Sequence, residues 1–307
     1  MSGLAEVVAA HQRWLHLPDP RGLLAILGTV AANRLESDPV WLLLVGPPGG
    51  GKSELLQSLS GLPDVYPAAT LTEASLLSGT AKKERDATAK GGLLREIGAF
   101  GILVHKDFTS VLAMHSDTRA ALLAALREVY DGSWTRHVGS DGGRTLHWSG
   151  KVGLSRAARR RSTNTTRLSR RWGRGSSASA SRTSTPTSRL AAASPTPAAS
   201  GRCGPSSQMS RPHFFASSPE SPRPLDEDEQ ELLFALSTLV VRCRSAVERD
   251  GRTREIELIP EPEAPARLVV VLARLLAGLD AIGLDRETSW RVLGKVGLTR
   301  CRRFGWR

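Results

Sequence analysis

The sequence predicts an α/β fold, and three observations carry that prediction. Residues 40–45 form a short apolar run with turn residues on both sides, which reads as a buried strand. Gly46-Pro47-Pro48-Gly49-Gly50-Gly51-Lys52-Ser53 follows at once, and residues 52–59 then take helical spacing. Residues 101–104 form a second strongly apolar strand, with His105-Lys106-Asp107 at its end. Buried strands alternating with helices imply a parallel sheet covered on both faces.

The remaining elements follow in order. Leu4, Val7, Val8, Trp14 and Leu15, then Leu23, Leu24, Ile26, Leu27 and Val30, recur at helical spacing, and Pro18 and Pro20 separate the two helices. Residues 65–71 read as a strand, and 72–77 as a short helix capped by Thr72. Residues 81–92 are polar and expected on the surface. Ser116 or Asp117 can start a helix reaching Tyr130, with Ala120, Leu123, Ala124 and Val129 available for packing. Residues 133–138 and 144–148 flank Gly139-Ser140-Asp141-Gly142-Gly143, a hairpin signal, and 151–154 begin another strand. Farther on, Asp226-Glu227-Asp228-Glu229 gives a helix an acidic first turn, favourable against the helix dipole, and 232–247 continue it. Residues 254–259 suit an edge strand, while 265–279 and 288–296 read as helices.

The net charge of +12 invites a nucleic-acid reading, but it is concentrated in one place. Residues 155–219 hold twelve arginines and no lysine, aspartate, glutamate, valine, isoleucine or tyrosine. Outside them, thirty basic residues balance thirty acidic ones. Two explanations fit. One is a basic linker too poor in apolar surface to fold. The favoured one is a segment read out of frame, because permissible codons for 162–177, shifted by one base, return acidic and apolar residues. Residues 299–307 behave the same way, and both stretches follow a Gly-Lys-Val-Gly-Leu sequence, at 150–154 and 294–298. Cys203 and Cys301 fall within them and carry no functional weight. Three cysteines without paired spacing argue against a disulfide framework or a zinc site. No run of eighteen apolar residues indicates a membrane span, and 1–17 lack a secretory leader, so the cytoplasm is the expected compartment.

The chemistry lies in residues 46–53. Glycines let successive backbone N–H groups approach phosphate oxygens, with a helix N-terminus behind them. This is the P-loop pattern, in the strand–loop–helix setting that it requires. Gly46, Pro47, Pro48, Gly49, Gly50, Gly51, Lys52 and Ser53 are therefore the nucleotide-binding candidates, for ATP or GTP. Lys52 would reach the outer phosphates and Ser53 would ligate magnesium. Asp107, at a strand end, is the expected second metal-side carboxylate, its alternative being a capping aspartate. The next residue is Phe108 rather than a water-orienting glutamate; Glu96, Asp117 and Glu128 are the substitutes available. A GTPase is disfavoured, because no Asn-Lys-x-Asp base-reading motif is present.

On Gly46 to Ser53 and Asp107 the chain resembles the AAA+ ATPases, over about residues 40–154, with 225–296 similar to their helical lid. In overall look it is similar to actinobacterial ATP-binding proteins of mobile-element or phage helicase type. The resemblance implies ATP and Mg2+ as cofactors, Lys52 and Asp107 as catalytic residues, Ser53 and Asp107 as metal ligands, and action on DNA. It makes the 139–143 hairpin similar to a pre-sensor hairpin, with Arg136, His137 and Arg144 as DNA-contact candidates or plain surface charge. It also implies a homo-oligomer, which the gap in this chain's core disfavours. Arg242 and Arg244 are sensor-2 candidates or surface charge. The family's sensor-1 residue and arginine finger would fall within 155–219, where the sequence shows neither. The expected organisation is an N-terminal helical region, 1–39; an incomplete P-loop NTPase core, 40–154; a disordered, out-of-frame basic segment, 155–224; a small helical lid-like domain, 225–297; and an out-of-frame tail, 298–307. The expected function is ATP binding in a DNA-remodelling lineage with impaired hydrolysis. A non-hydrolysing remnant and a basic nucleic-acid tether are the alternatives.

Overall fold

The computed structural model describes residues 2–79, 91–139, 143–159, 177–180, 223–244, 248–249, 255–258 and 261–299. Helices α1 (Ser2–Trp14) and α2 (Arg21–Arg34) lead into β1 (Trp41–Gly46) and α3 (Lys52–Gln57). Then come β2 (Val65–Ala68), α4 (Glu73–Leu76), α5 (Leu93–Ile97), β3 (Phe100–His105), α6 (Phe108–Leu112) and α7 (Ser116–Tyr130). The antiparallel hairpin of β4 (Ser133–Val138) and β5 (Arg144–Ser149) precedes β6 (Lys151–Arg159) and β7 (Ser177–Ala180). The chain closes with α8 (Glu227–Arg244), a small ladder of β8 (Glu248–Arg249) and β9 (Ile256–Leu258), α9 (Ala266–Ala281) and α10 (Arg286–Leu298).

Five strands make one parallel sheet in the order β2-β3-β6-β1-β7. Side chains on a strand alternate between faces, and β1 divides accordingly. Leu42 and Leu44 join one apolar cluster with α2, α3, α8, α9 and α10. Trp41 and Leu43 join another with α4, α5, α6, α7 and the β4–β5 hairpin. The molecule is thus α/β, with a parallel sheet between two helical layers.

Buried Asn33 sets the entry to β1. Its amide oxygen accepts from the Val40 N–H at 2.9 Å, and its NH2 donates to the carbonyls of Val40 at 2.9 Å and Thr29 at 2.8 Å. A Cβ at Gly153 would lie 2.6 Å from the Asn33 side chain, so β6 can pass only with glycine there. Arg34 and Asp64 form a two-pronged ion pair at 2.8 and 2.7 Å, tying the end of α2 to the start of β2.

Several expectations shift in detail. Thr72 does cap α4, reciprocally with Ser75. Helix α7 buries Leu122, Leu123, Ala125, Leu126 and Val129, whereas Ala120 and Ala124 are exposed. The larger leucines at 122 and 126 claim the core-facing stripe. Strand β6 runs on to Arg159, five residues beyond the expected break at 154, because main-chain pairing with β1 and β3 continues whatever the side chains. The 225–297 helices share one apolar cluster with α2 and the sheet. The apolar face of α9 finds its cover on α2. Of the basic segment, 160–176 and 181–222 lie outside the described residues, as do 80–90, 140–142 and 300–307.

Candidate functional site

The 46–53 loop leaves the carboxyl end of β1, inside the sheet between β6 and β7. Open parallel sheets bind ligands outside the carboxyl ends of their strands. Gly49 and Gly51 have φ of 73° and 69°, the left-handed region that glycine adopts without strain. A Cβ at Gly46 would stand 3.3 Å from the Lys52 Cδ and 3.7 Å from its Nζ, a close fit against the flexible end of that side chain. Pro47, Pro48, Gly49 and Ser53 are exposed, and Gly50, Gly51 and Lys52 are partly buried. The Lys52 ammonium folds over the loop and donates to the Pro47 carbonyl at 2.5 Å. The Gly51 carbonyl accepts from the Leu55 N–H at 3.0 Å, opening α3.

Asp107 stands two residues past β3, at the head of α6. Its Oδ1 accepts from the Thr109 N–H at 3.2 Å, so it is also the capping aspartate of the alternative reading. Lys106 beside it donates to the Gln57 Oε1 on α3 at 2.9 Å, joining the Asp107 turn to the helix that follows the 46–53 loop. Burial lowers the Lys52 pKa, the Arg159 charge lowers it further, and the Asp107 charge partly opposes both. Lys52, Asp107 and Arg159 therefore share one electrostatic neighbourhood.

Arg159 was hidden by the composition of the segment that it opens. Carrying the strand that begins at 151–154 on by five residues would have found it. In the β1–β6 register it lies opposite Gly46. Its N–H donates to the Thr109 Oγ1 at 2.8 Å, and its Nη2 stands 4.0 Å from the Asp107 Oδ2. Magnesium is suited in kind by the Ser53 hydroxyl and the Asp107 carboxylate, both hard oxygen donors. The surroundings suit it badly: one carboxylate oxygen caps α6 and the other faces a guanidinium. Among the described residues no group of three or more His, Cys, Asp or Glu side chains could hold a metal.

Other candidates lie apart. None of Glu96, Asp117 and Glu128 is among the charges that bear on Lys52. Asp117 faces His115 at 3.8 Å, at the exposed start of α7. Arg136 is occupied, donating to the Leu77 carbonyl at 2.5 Å and standing 3.8 Å from Glu73, so it anchors the hairpin to α4. His137 is exposed and pairs with the Thr145 hydroxyl at 3.1 Å. Arg242 is exposed near the end of α8. Among the described residues no helix is long and apolar enough to cross a membrane. Neither the protein-family models nor the curated proteins contain a match to this chain.

Proposed function

We propose that the chain binds the triphosphate of ATP in the 46–53 loop, as a member of a helicase-type AAA+ lineage whose turnover is impaired here. The observation that carries this reading is the loop itself: two left-handed glycines, a lysine folded across its mouth and a helix behind, at the carboxyl end of an interior parallel strand. Backbone N–H groups of 49–53 would hold the phosphates, and Lys52 would turn from the Pro47 carbonyl to meet their charge. Impaired turnover is supported by Arg159 beside Asp107 and by Phe108 standing where a water-orienting glutamate would follow Asp107. Remodelling of DNA belongs to the lineage; His137 and Arg144 on the β4–β5 hairpin are the residues of this chain that would make contact.

Equilibrium titration with a fluorescent ATP analogue tests the reading. Lys52→Ala weakens binding at least about tenfold, or 1.4 kcal/mol. Affinity unchanged by that substitution overturns the assignment. Steady ATP hydrolysis by the native chain, well above the Lys52→Ala background, would restore the active-enzyme reading.

A further inference from the structure

We infer that the Arg159 guanidinium takes the place of a divalent cation beside Asp107, so that the 46–53 loop takes up a nucleoside triphosphate without magnesium. This rests on the phosphate-binding reading of that loop. Three independent features of the backbone bring the groups together. The β1–β6 register sets Arg159 opposite Gly46, the first residue of the loop. The β3–β6 register sets Arg156 opposite His105, which brings Asp107, two residues on, level with the end of β6. The Arg159 N–H is held by the Thr109 hydroxyl at 2.8 Å, on the helix that Asp107 caps.

The side chains complete the arrangement. Oδ1 of Asp107 accepts from the Thr109 N–H at 3.2 Å, and Oδ2 faces the Arg159 Nη2 at 4.0 Å. Magnesium needs a near-octahedral oxygen shell at about 2.0–2.1 Å and sheds water reluctantly. A guanidinium 4.0 Å from the same carboxylate oxygen repels such an ion. Arginine stays charged at every working pH, and its planar fork matches phosphate oxygens. The Arg159 side chain is 63% exposed and that of Asp107 51%, so either can turn toward a ligand without unpacking the core. Together Lys52 and Arg159 place two positive charges at the loop mouth, enough to hold a polyphosphate without a metal.

The test is ATP-analogue binding to the full chain, once with excess magnesium and once with EDTA. The native chain is expected to show affinities within about threefold of each other, a difference of about 0.7 kcal/mol. Arg159→Gln is expected to lose about tenfold or more in EDTA and little in magnesium, with Arg159→Lys recovering most of that loss. A native chain that loses tenfold or more on chelation overturns the inference. So does an Arg159→Gln variant that matches the native chain in EDTA. Thermal melts of the two variants, expected to superimpose on the native melt, separate a lost contact from a lost fold. Lys52→Ala separates the two levels: if it binds as the native chain does in both buffers, the phosphate-loop reading has failed. If it loses binding while the native chain proves magnesium-dependent, only the role of Arg159 has failed.

Discussion

Arg156 shows what a single side chain can carry. It is fully buried in an interior strand, with its guanidinium carbon 4.5 Å from the Phe108 ring centroid and 5.8 Å from that of Trp41. A desolvated cation over an aromatic face gains about 2 kcal/mol. Taking the charge out of water costs several kcal/mol, more than the ring contacts alone return, so the side chain's further interactions contribute as well. Methionine has similar length, no charge, and favourable contacts of its own with aromatic edges. Arg156→Met removes the charge and leaves its partners buried, so it should lower stability by about 1–3 kcal/mol, measured by urea unfolding. A gain of stability would show that burying the charge costs more than all its contacts return. A buried arginine in this strand is a local conflict of the kind that an out-of-frame segment would create. At this scale the glycines, Lys52 and Thr72 were legible in the sequence because each answers a local backbone requirement. Arg156 and Arg159 were not, since their roles come from register with β3 and β1, strands more than fifty residues earlier.

Between elements, the tightest approach is that of α2 to α9. A Cβ on Gly278 would stand 2.1 Å from the Gly28 carbonyl oxygen and 2.6 Å from the Ala32 nitrogen. Both are helix backbone atoms and cannot step aside. Alanine improves helix propensity by up to about 1 kcal/mol, but overpacking of this kind costs about 1–3 kcal/mol or more. Gly278→Ala is expected to destabilise by about 2 kcal/mol in chemical unfolding. Gly294→Ala on α10 is the matched control, because nothing lies within 4 Å of its added Cβ. It should gain about 0.4–1 kcal/mol by restricting the unfolded chain. Equal effects from the two would mean that α2 and α9 do not cross as described. Helix periodicity located both elements correctly, yet their contact was invisible, because a glycine pair 250 residues apart carries no periodic signal. For the same reason the 225–297 helices read as a separate lid, although their apolar faces close the same core as α2 and β1.

The whole molecule is closed by charges as well as apolar faces, and they set its pH profile. Asp19, in the turn between α1 and α2, accepts from the Arg21 Nε at 2.9 Å and pairs with Lys295 on α10. Burial pushes the Asp19 pKa up, but hydrogen bonds from Arg21 and Lys295 outweigh it and hold the carboxyl well below the usual range. An aspartate depressed in the fold adds stability above its unfolded pKa of about 3.9, and that stability is lost as pH falls below it. Lys151 works on the alkaline side. It donates to the Leu35 carbonyl at 2.6 Å. Burial, then the Arg274 charge, lower its pKa to about 8, against an opposing pull from Asp38. The unfolded chain, with a lysine pKa of about 10.4, then binds more protons than the folded one, so stability rises with pH from about 8 to 10.4. Solvent reaches about half of Lys151 and weakens the effect. Thermal midpoints measured across pH should therefore fall at the acid end and climb at the alkaline end. Asp19→Asn flattens only the acid limb and Lys151→Met only the alkaline one. If Asp19→Asn left the acid limb unchanged, the tie from the first turn to the last helix would not be a source of stability. The two ends of the chain would then be joined by their apolar contacts and by the Arg274–Asp38 ion pair.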